Sequence, residues 1–285
     1  MEAGSIMRAL EAEVRDAVWA AMESLIPVPV SNHPLGCHRP RKSDRLVFDV
    51  MLVRLVTGVS WVDAELLTGS QVSDTTVRNR RDEWIEAGVF ASLEHEALDA
   101  YDRIIGLDLS NVALDGSTHK APCGGEGTGP SPVDRGKCGW KWSYATDAVG
   151  IPVGWTIAGA NRNDCKLLLP TLEDAKMRGT FDGFETLHLD KGYDGKPSRL
   201  VCEEMGIRNA VIAEKRKPGT PEAKEPLTLG LRWPVERTNS WFSNYGQLRR
   251  NTDRKIAHRL AQFGLAFVFL ITAKLIDWRN GPSCR

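Results

Sequence analysis

The chain has 285 residues, 42% hydrophobic and 26% charged, with 37 basic and 37 acidic side chains. This composition describes a globular protein with room for one sizeable domain and a smaller one, and the zero formal net charge argues against indiscriminate binding to a polyanion. Six cysteines without a C-x-x-C pair, and no basic-apolar secretion signal at the N-terminus, point to reduced thiols in a cytoplasmic protein.

Apolar and charged residues recur with helical spacing over 8–25, and PVPVSNHPLG (27–36) then interrupts any regular element. Three helical patterns follow, divided by Gly58 and by the turn TGSQVS (68–73), with Ser43 and Ser73 placed as N-caps. The third, roughly 74–87, sets Val77, Arg81 and Trp84 at helical intervals and leaves Thr75, Thr76, Arg78, Asn79 and Arg80 available to solvent. A short helix, a glycine-containing turn and a helix rich in Thr, Asn and Arg form a helix-turn-helix pattern; a three-helix cap with a solvated basic face is the alternative.

From about residue 104 the pattern changes to short apolar stretches: NVALDG, WKWSYATDA, IPVGWTIAGA, TLHLDKGYDG and RNAVIAEK. Helical patterns lie at 164–177 and 197–205. This order predicts an α/β fold whose mixed sheet opens with an antiparallel meander, preceded by an all-helical domain and followed by helices from Pro234 onward. The most apolar run, LAQFGLAFVFLITAKLI (260–276), is interrupted by Gln262, Thr272 and Lys274, which predicts a buried helix and no membrane span.

Two acids stand at predicted strand exits: Asp115 in NVALDGST and Asp190 in TLHLDKGYDG. Taken alone, each reads equally as a turn residue. Paired strands lie about 4.8 Å apart, so acids at the ends of neighbouring strands can converge. A third, Glu236, lies in a helix begun by Pro234, whose expected polar face runs through Asn239 or Ser240, Ser243 and Gln247, with Trp241, Tyr245 and Leu248 opposite. Three carboxylates without a histidine or cysteine cluster suit hard divalent cations, Mg2+ or Mn2+. Two such ions about 3.5–4 Å apart would clamp an in-line displacement at a phosphodiester.

With these acids stand two more specific motifs, DRGK-x-G-x-K from Asp134 and R-W-x-x-E-R-T-x-x-W from Arg232. Together with PRKSDRLVFDVMLVRLVTGVSW and GSQVSDTTVRNRRDEWIEAGVF they resemble the DDE transposases of bacterial insertion sequences, over nearly the whole chain. The resemblance implies an RNase H-like catalytic domain over 101–285, with Asp115, Asp190 and Glu236 binding the catalytic metals, and a helix-turn-helix-like DNA-binding domain over 1–100. The spacings of 75 and 46 residues between the acids leave no need for a long insertion. The chain departs from the Y-(2)-R-(3)-E-(6)-K signature of related families at two places: Leu229 stands where the Tyr would be and Ser243 where the Lys would be, leaving Arg249 and Arg250 to supply the later positive charge.

The resemblance further implies binding of the element's terminal inverted repeats, cleavage there, and strand transfer into target DNA by a homodimer or larger synaptic assembly in the bacterial cytoplasm, associated with the nucleoid. Under it, Lys120, Arg135, Lys137 and Lys141 of the glycine-rich loop contact the DNA backbone, as do Arg232, Arg237, Arg249 and Arg250 and the EKRKPG loop (214–219). The glycine-rich loop lacks G-x-x-x-x-G-K-[ST], so it is not read as a nucleotide cradle. The segment 232–259 holds seven Arg or Lys against two acids, whereas Trp233, Trp241 and Tyr245 are read as core. A zinc site at His33, Cys37 and His38 lacks its second ligand pair. Two other functions stay open: a catalytically retired DNA-binding relative acting as a repressor, and a stand-alone RNase H-like nuclease.

Overall fold

The computed structural model describes residues 7–28, 40–214 and 230–281. The His33, Cys37 and His38 group, Leu229, and most of the 27–36 and 214–219 loops lie outside the described residues. In chain order the elements are a short 3-10 turn (Arg8–Leu10), helices α1 (Ala12–Leu25), α2 (Asp44–Thr57), α3 (Trp61–Leu67), α4 (Asp74–Glu86) and α5 (Val89–Ile104), then strand β1 (Asn111–Lys120). Next come β2 (Gly129–Pro130), β3 (Cys138–Thr146), β4 (Pro152–Gly159), helix α6 (Cys165–Met177), β5 (Thr186–Leu189), α7 (Lys196–Glu204) and β6 (Ala210–Ile212). Helices α8 (Trp233–Ser243), α9 (Gly246–Arg249) and α10 (Ile256–Asn280) close the chain.

These elements form two compact units, one of Met1–Ile105 with Ser243–Arg285, the other of Gly106–Phe242. The segment after 242 therefore groups with the N-terminal helices, whereas the sequence pattern attaches it to the sheet. The reason is the apolar content of α10, which is buried along most of its length and packs against α1, α4 and α5. By length and composition α10 would suffice to cross a membrane, but two thirds of its most apolar window is buried within the protein, as expected of a core helix.

In the helical unit, α2 ends at Gly58, whose φ of +78° favours glycine. A Cβ on Gly246 would meet the backbone of Thr57 and Gly58 at 2.5 Å, so close approach of α9 to the end of α2 requires glycine there. Ser73 caps α4 by accepting from the Thr76 N–H at 3.3 Å. Ser43 holds the N-cap position of α2 without a side-chain cap bond, whereas Ser60, not singled out in the sequence, caps α3. Helix α5, also not anticipated as a separate element, starts after Gly88 in the left-handed conformation and buries Val89, Phe90, Leu93, Leu98 and Tyr101.

The centre of this unit is polar as well as apolar. The buried Asp253 carboxylate accepts from Arg54 at 3.2 and 3.3 Å, from Arg81 at 3.4 Å and from Gln262 at 2.5 Å. Arg259 binds its backbone carbonyl, and the Arg54 guanidinium also lies 4.1 Å over the Trp61 ring.

In the other unit β1 occupies the middle of a mixed sheet. It pairs antiparallel with β3 and parallel with β5; β3 also carries β4 and the two-residue β2, both antiparallel, and β6 extends β5 in parallel. Three antiparallel strands followed by two parallel ones make the RNase H-like sheet implied by the resemblance. One face is apolar, with Val112, Leu114, Ala145, Val153, Leu187 and Leu189 packed against Leu168 and Leu172 of α6. The opposite face carries Trp142 and Tyr144, whose rings meet Phe242 of α8 edge-on at 6.2 Å.

Removing one partner of a buried charge group leaves the others uncompensated, which costs about 3–5 kcal/mol. We expect Asp253→Ala to destabilise the protein by that amount in urea denaturation, and Asp82→Ala, a half-buried acid near the rim of the same group, to cost markedly less.

Candidate active site

The parallel register of β1 and β5 runs from Asn111 opposite Thr186 to Leu114 opposite Leu189 and stops there. β1 itself continues alongside β3 as far as Lys120 opposite Gly139. Asp115 is thus not the end of a strand, as the sequence suggests; it is the point at which β1 loses its β5 neighbour. Asp190 follows directly on β5, so the two acids occupy equivalent places on adjacent parallel strands.

Side-chain alternation then sets the face. Leu114 and Leu189 point into the core against α6, so Asp115 and Asp190 project to the side of Tyr144, where α8 lies. That helix is fixed by hydrogen bonds from Tyr144 Oη to Val235 O (2.9 Å), from Trp142 Nε1 to Asn239 Oδ1 (3.2 Å) and from Thr238 Oγ1 to Gly150 O (2.5 Å). Ala113, Asp115, His188, Asp190, Arg232 and Val235 line one small cavity.

Asp115 is half-buried and accepts from the Gly116 N–H at 2.7 Å. Burial pushes its carboxyl up to about 6; the Gly116 N–H and Arg232 work against that shift, while Asp190 and Asp164 add to it. Asp190 accepts from Gly192 N–H at 2.6 Å and so caps the 3-10 turn Lys191–Tyr193. Glu236 is exposed, with Arg232 one helical turn earlier at 3.8 Å. Among the described residues no three His, Cys, Asp or Glu side chains are grouped to hold a metal ion. Asp115 and Asp190 nevertheless fit one in donor chemistry: two adjacent carboxylate oxygen sources, one of them disfavoured as an anion by burial and by its neighbour.

Several expected contacts are placed differently. Arg80 is buried between Asp44 and Glu83 and faces away from solvent, because its position on α4 turns it toward α2. Thr75, Asn79 and Arg78 are exposed, Arg78 paired with Asp74 at 2.6 Å, while Thr76 is half-buried beside the Ser73 hydroxyl. Lys120, Arg135 and Lys137 are exposed, but Lys141 is 7% exposed and bonded to Asp164 at 2.8 Å, which removes it from a DNA-facing surface. Arg232 and Arg237 are exposed on the α8 side. Trp233, read as core, is 48% exposed, with Arg237 over its ring at 5.6 Å and over that of Trp241 at 4.8 Å. The expected polar face of a single long helix is broken after Ser243: Gln247 is buried in α9, and Arg249 and Arg250 are exposed at its end. Sequence reasoning gives Asp164 no functional role; only its position at the start of a helical pattern marks it, and that is shared by ordinary caps.

A carboxyl whose folded pKa lies above its unfolded value gains protons relative to the unfolded chain, so its contribution to stability is lost as pH rises from about 4 to about 6. Asp115 and the buried Asp147, also raised to about 6 by burial, both act in this direction. We expect Asp115→Asn to remove part of that loss and to stabilise the metal-free protein at pH 7.5 by about 1–3 kcal/mol, since a tenfold change in proton affinity corresponds to about 1.4 kcal/mol. Thermal unfolding in EDTA between pH 4 and 8 measures it.

Two family models match the chain: one described as a putative transposase of the IS4/5 family over residues 14–93, the other as a transposase DDE domain over residues 107–271. A putative transposase for insertion sequence element IS402 of Burkholderia cepacia is 32% identical over 133 residues, 45% of this chain and 60% of that protein. This match spans less than two thirds of that relative's length. An uncharacterized 16.2 kDa protein of the same element in Burkholderia cepacia is 35% identical over 122 residues, 42% of this chain and 80% of that one. The Mos1 transposase paired-end complex with left transposon end aligns over 87% of this chain and 82% of that one, at 12% identity and a TM-score of 0.26, so the fold assignment rests on the strand order described above. With the DDE domain model covering more than half of its length, the chain belongs to the DDE transposases of insertion sequences.

Proposed function

We propose that this protein binds the terminal inverted repeats of an insertion sequence, cleaves DNA there, and joins the freed 3′ end to target DNA, with Asp115, Asp190 and Glu236 as the catalytic carboxylates. The observation that carries this reading is the side-by-side placement of Asp115 and Asp190 where β5 leaves β1, on the face covered by the helix that bears Glu236. The DDE domain implies dependence on a divalent cation. When bound, such a cation, Mg2+ or Mn2+ and in our reading two of them, supplies Lewis-acid stabilisation of the phosphate charge and activation of the attacking hydroxyl.

The chain's own residues do the rest. The Gly116 and Gly192 N–H groups hold Asp115 and Asp190 in fixed rotamers as donors of oxygen ligands. Glu236, exposed on α8 with Arg232 at 3.8 Å, would be the third oxygen donor. Arg232 and Arg237 neutralise backbone charge beside the scissile bond, and Lys120, Arg135 and Lys137 do so further along the duplex. Thr75, Arg78 and Asn79 of α4 read or position the inverted repeat, and Arg249 and Arg250 add phosphate contacts. Two ends must be brought together, which calls for a homodimer or larger assembly, and the work is done in the bacterial cytoplasm at the nucleoid.

The test is metal-dependent cleavage and strand transfer on duplex DNA carrying the element's own ends. Wild-type products should require Mg2+, and Asp190→Ala or Glu236→Gln should lower the rate at least about 100-fold, the scale of losing one stabilising group from a charged transition state. Unchanged rates in these variants overturn the assignment; binding without cleavage favours the repressor-like relative, and cleavage without joining a nuclease. Arg78→Ala should weaken duplex binding and lower the slope of log K against log salt by about one if it contacts a phosphate.

A further inference from the structure

We infer that the pair formed by buried Lys141 and half-buried Asp164 is a positioning device that sets the charge behind Asp115, and so tunes how tightly Asp115 and Asp190 hold a divalent cation. The inference rests on the reading of those two acids as metal ligands.

Asp164 occupies the N-cap position of α6, where an aspartate ordinarily accepts from the first turn of the helix, yet it makes no cap bond. The Cys165 N–H goes instead to Asn163 Oδ1 at 2.9 Å. The Asp164 carboxylate turns toward the sheet and accepts from Lys141 Nζ at 2.8 Å, and Lys141 also donates to Arg162 O at 3.2 Å. A Cβ built on Gly116 would lie 2.6 Å from Asp164 Oδ1. The carboxylate therefore fills the side-chain place of the residue next to Asp115, against the opposite face of the same strand. A side chain at 116 would have to displace the Asp164 carboxylate from this place.

Burying the Lys141 ammonium is costly even with a half-buried carboxylate as its partner, and an apolar side chain in its place would serve stability at least as well. What apolar residues at both places would lack is a full negative charge one residue behind Asp115, held in check by a full positive charge. Removing either partner shifts the local charge by one elementary charge, in opposite directions, without touching either ligand.

The experiment titrates Mn2+ into the metal-free full chain and follows loss of the free-ion EPR signal, alongside thermal unfolding without metal. Asp164→Asn leaves the Lys141 ammonium uncompensated and should weaken Mn2+ binding about tenfold, the scale of one elementary charge acting through partly buried protein. Lys141→Met leaves Asp164 uncompensated and should tighten it about threefold. The double variant should return to within about twofold of wild type, and Lys141→Arg should match wild type. A purely structural role would move both single variants the same way, in step with their unfolding temperatures. Shifts of the same sign, or none, overturn the inference, as does a double variant more than tenfold from wild type should the singles not fold. Asp115→Asn separates the two readings: if it leaves Mn2+ binding unchanged, the metal site itself is wrong and this inference falls with it.

Discussion

The end of the β1–β5 pairing is the constraint from which the site follows. Two parallel neighbours in register place equivalent residues side by side, and because alternate residues face opposite sides, two leucines pointing into the core oblige the next residue of each strand to point out of it. When both of those residues are aspartates, the fold brings two like charges into one half-buried place. Burial then raises the Asp115 carboxyl, and Asp190 adds to the effect. A folded protein tolerates such a conflict where function uses it, since perturbed acids cluster at reactive sites.

The surrounding structure is organised around holding that conflict in place. On one side α8 is fastened by three hydrogen bonds to the buried strands and the β3–β4 turn, so its first turns, with Arg232 just before them and Glu236 within them, have a defined seat. On the other side Asp164 is packed against the Gly116 backbone by a lysine that would be costly to bury alone. The basic residues divide accordingly. Arg232 and Arg237 remain exposed, whereas Arg80, Arg81, Arg259 and Lys141 are engaged by internal carboxylates or carbonyls. A count of positive charges along the sequence therefore overstates the surface available to a polyanion.

Much of this is legible in the linear chain. The alternation in NVALD and TLHLD marks two strands with core leucines, the glycines and TGSQVS mark the breaks among the helices, and the apolar run 260–276 marks a buried helix. Each signal is local: strand alternation, helical spacing and turn chemistry depend on residues a few positions apart. The DRGK-x-G-x-K and R-W-x-x-E-R-T-x-x-W motifs add family membership, which local patterning alone does not supply.

The sequence by itself determined most of the segments that are strands and helices, though not α5 or the break between α8 and α9, and which acids stand next to core leucines, because those depend on short-range periodicity. Only the tertiary structure decided that β1 runs on past Asp115, that the segment after 242 joins the N-terminal helices, and that Lys141 is matched to Asp164. It also decided that Asp253 gathers Arg54 and Arg81, which lie 199 and 172 residues away in sequence. These outcomes turn on pairing and desolvation between distant residues. A buried charge finds its partner wherever the fold brings one within reach, and no periodicity in the chain records where that will be.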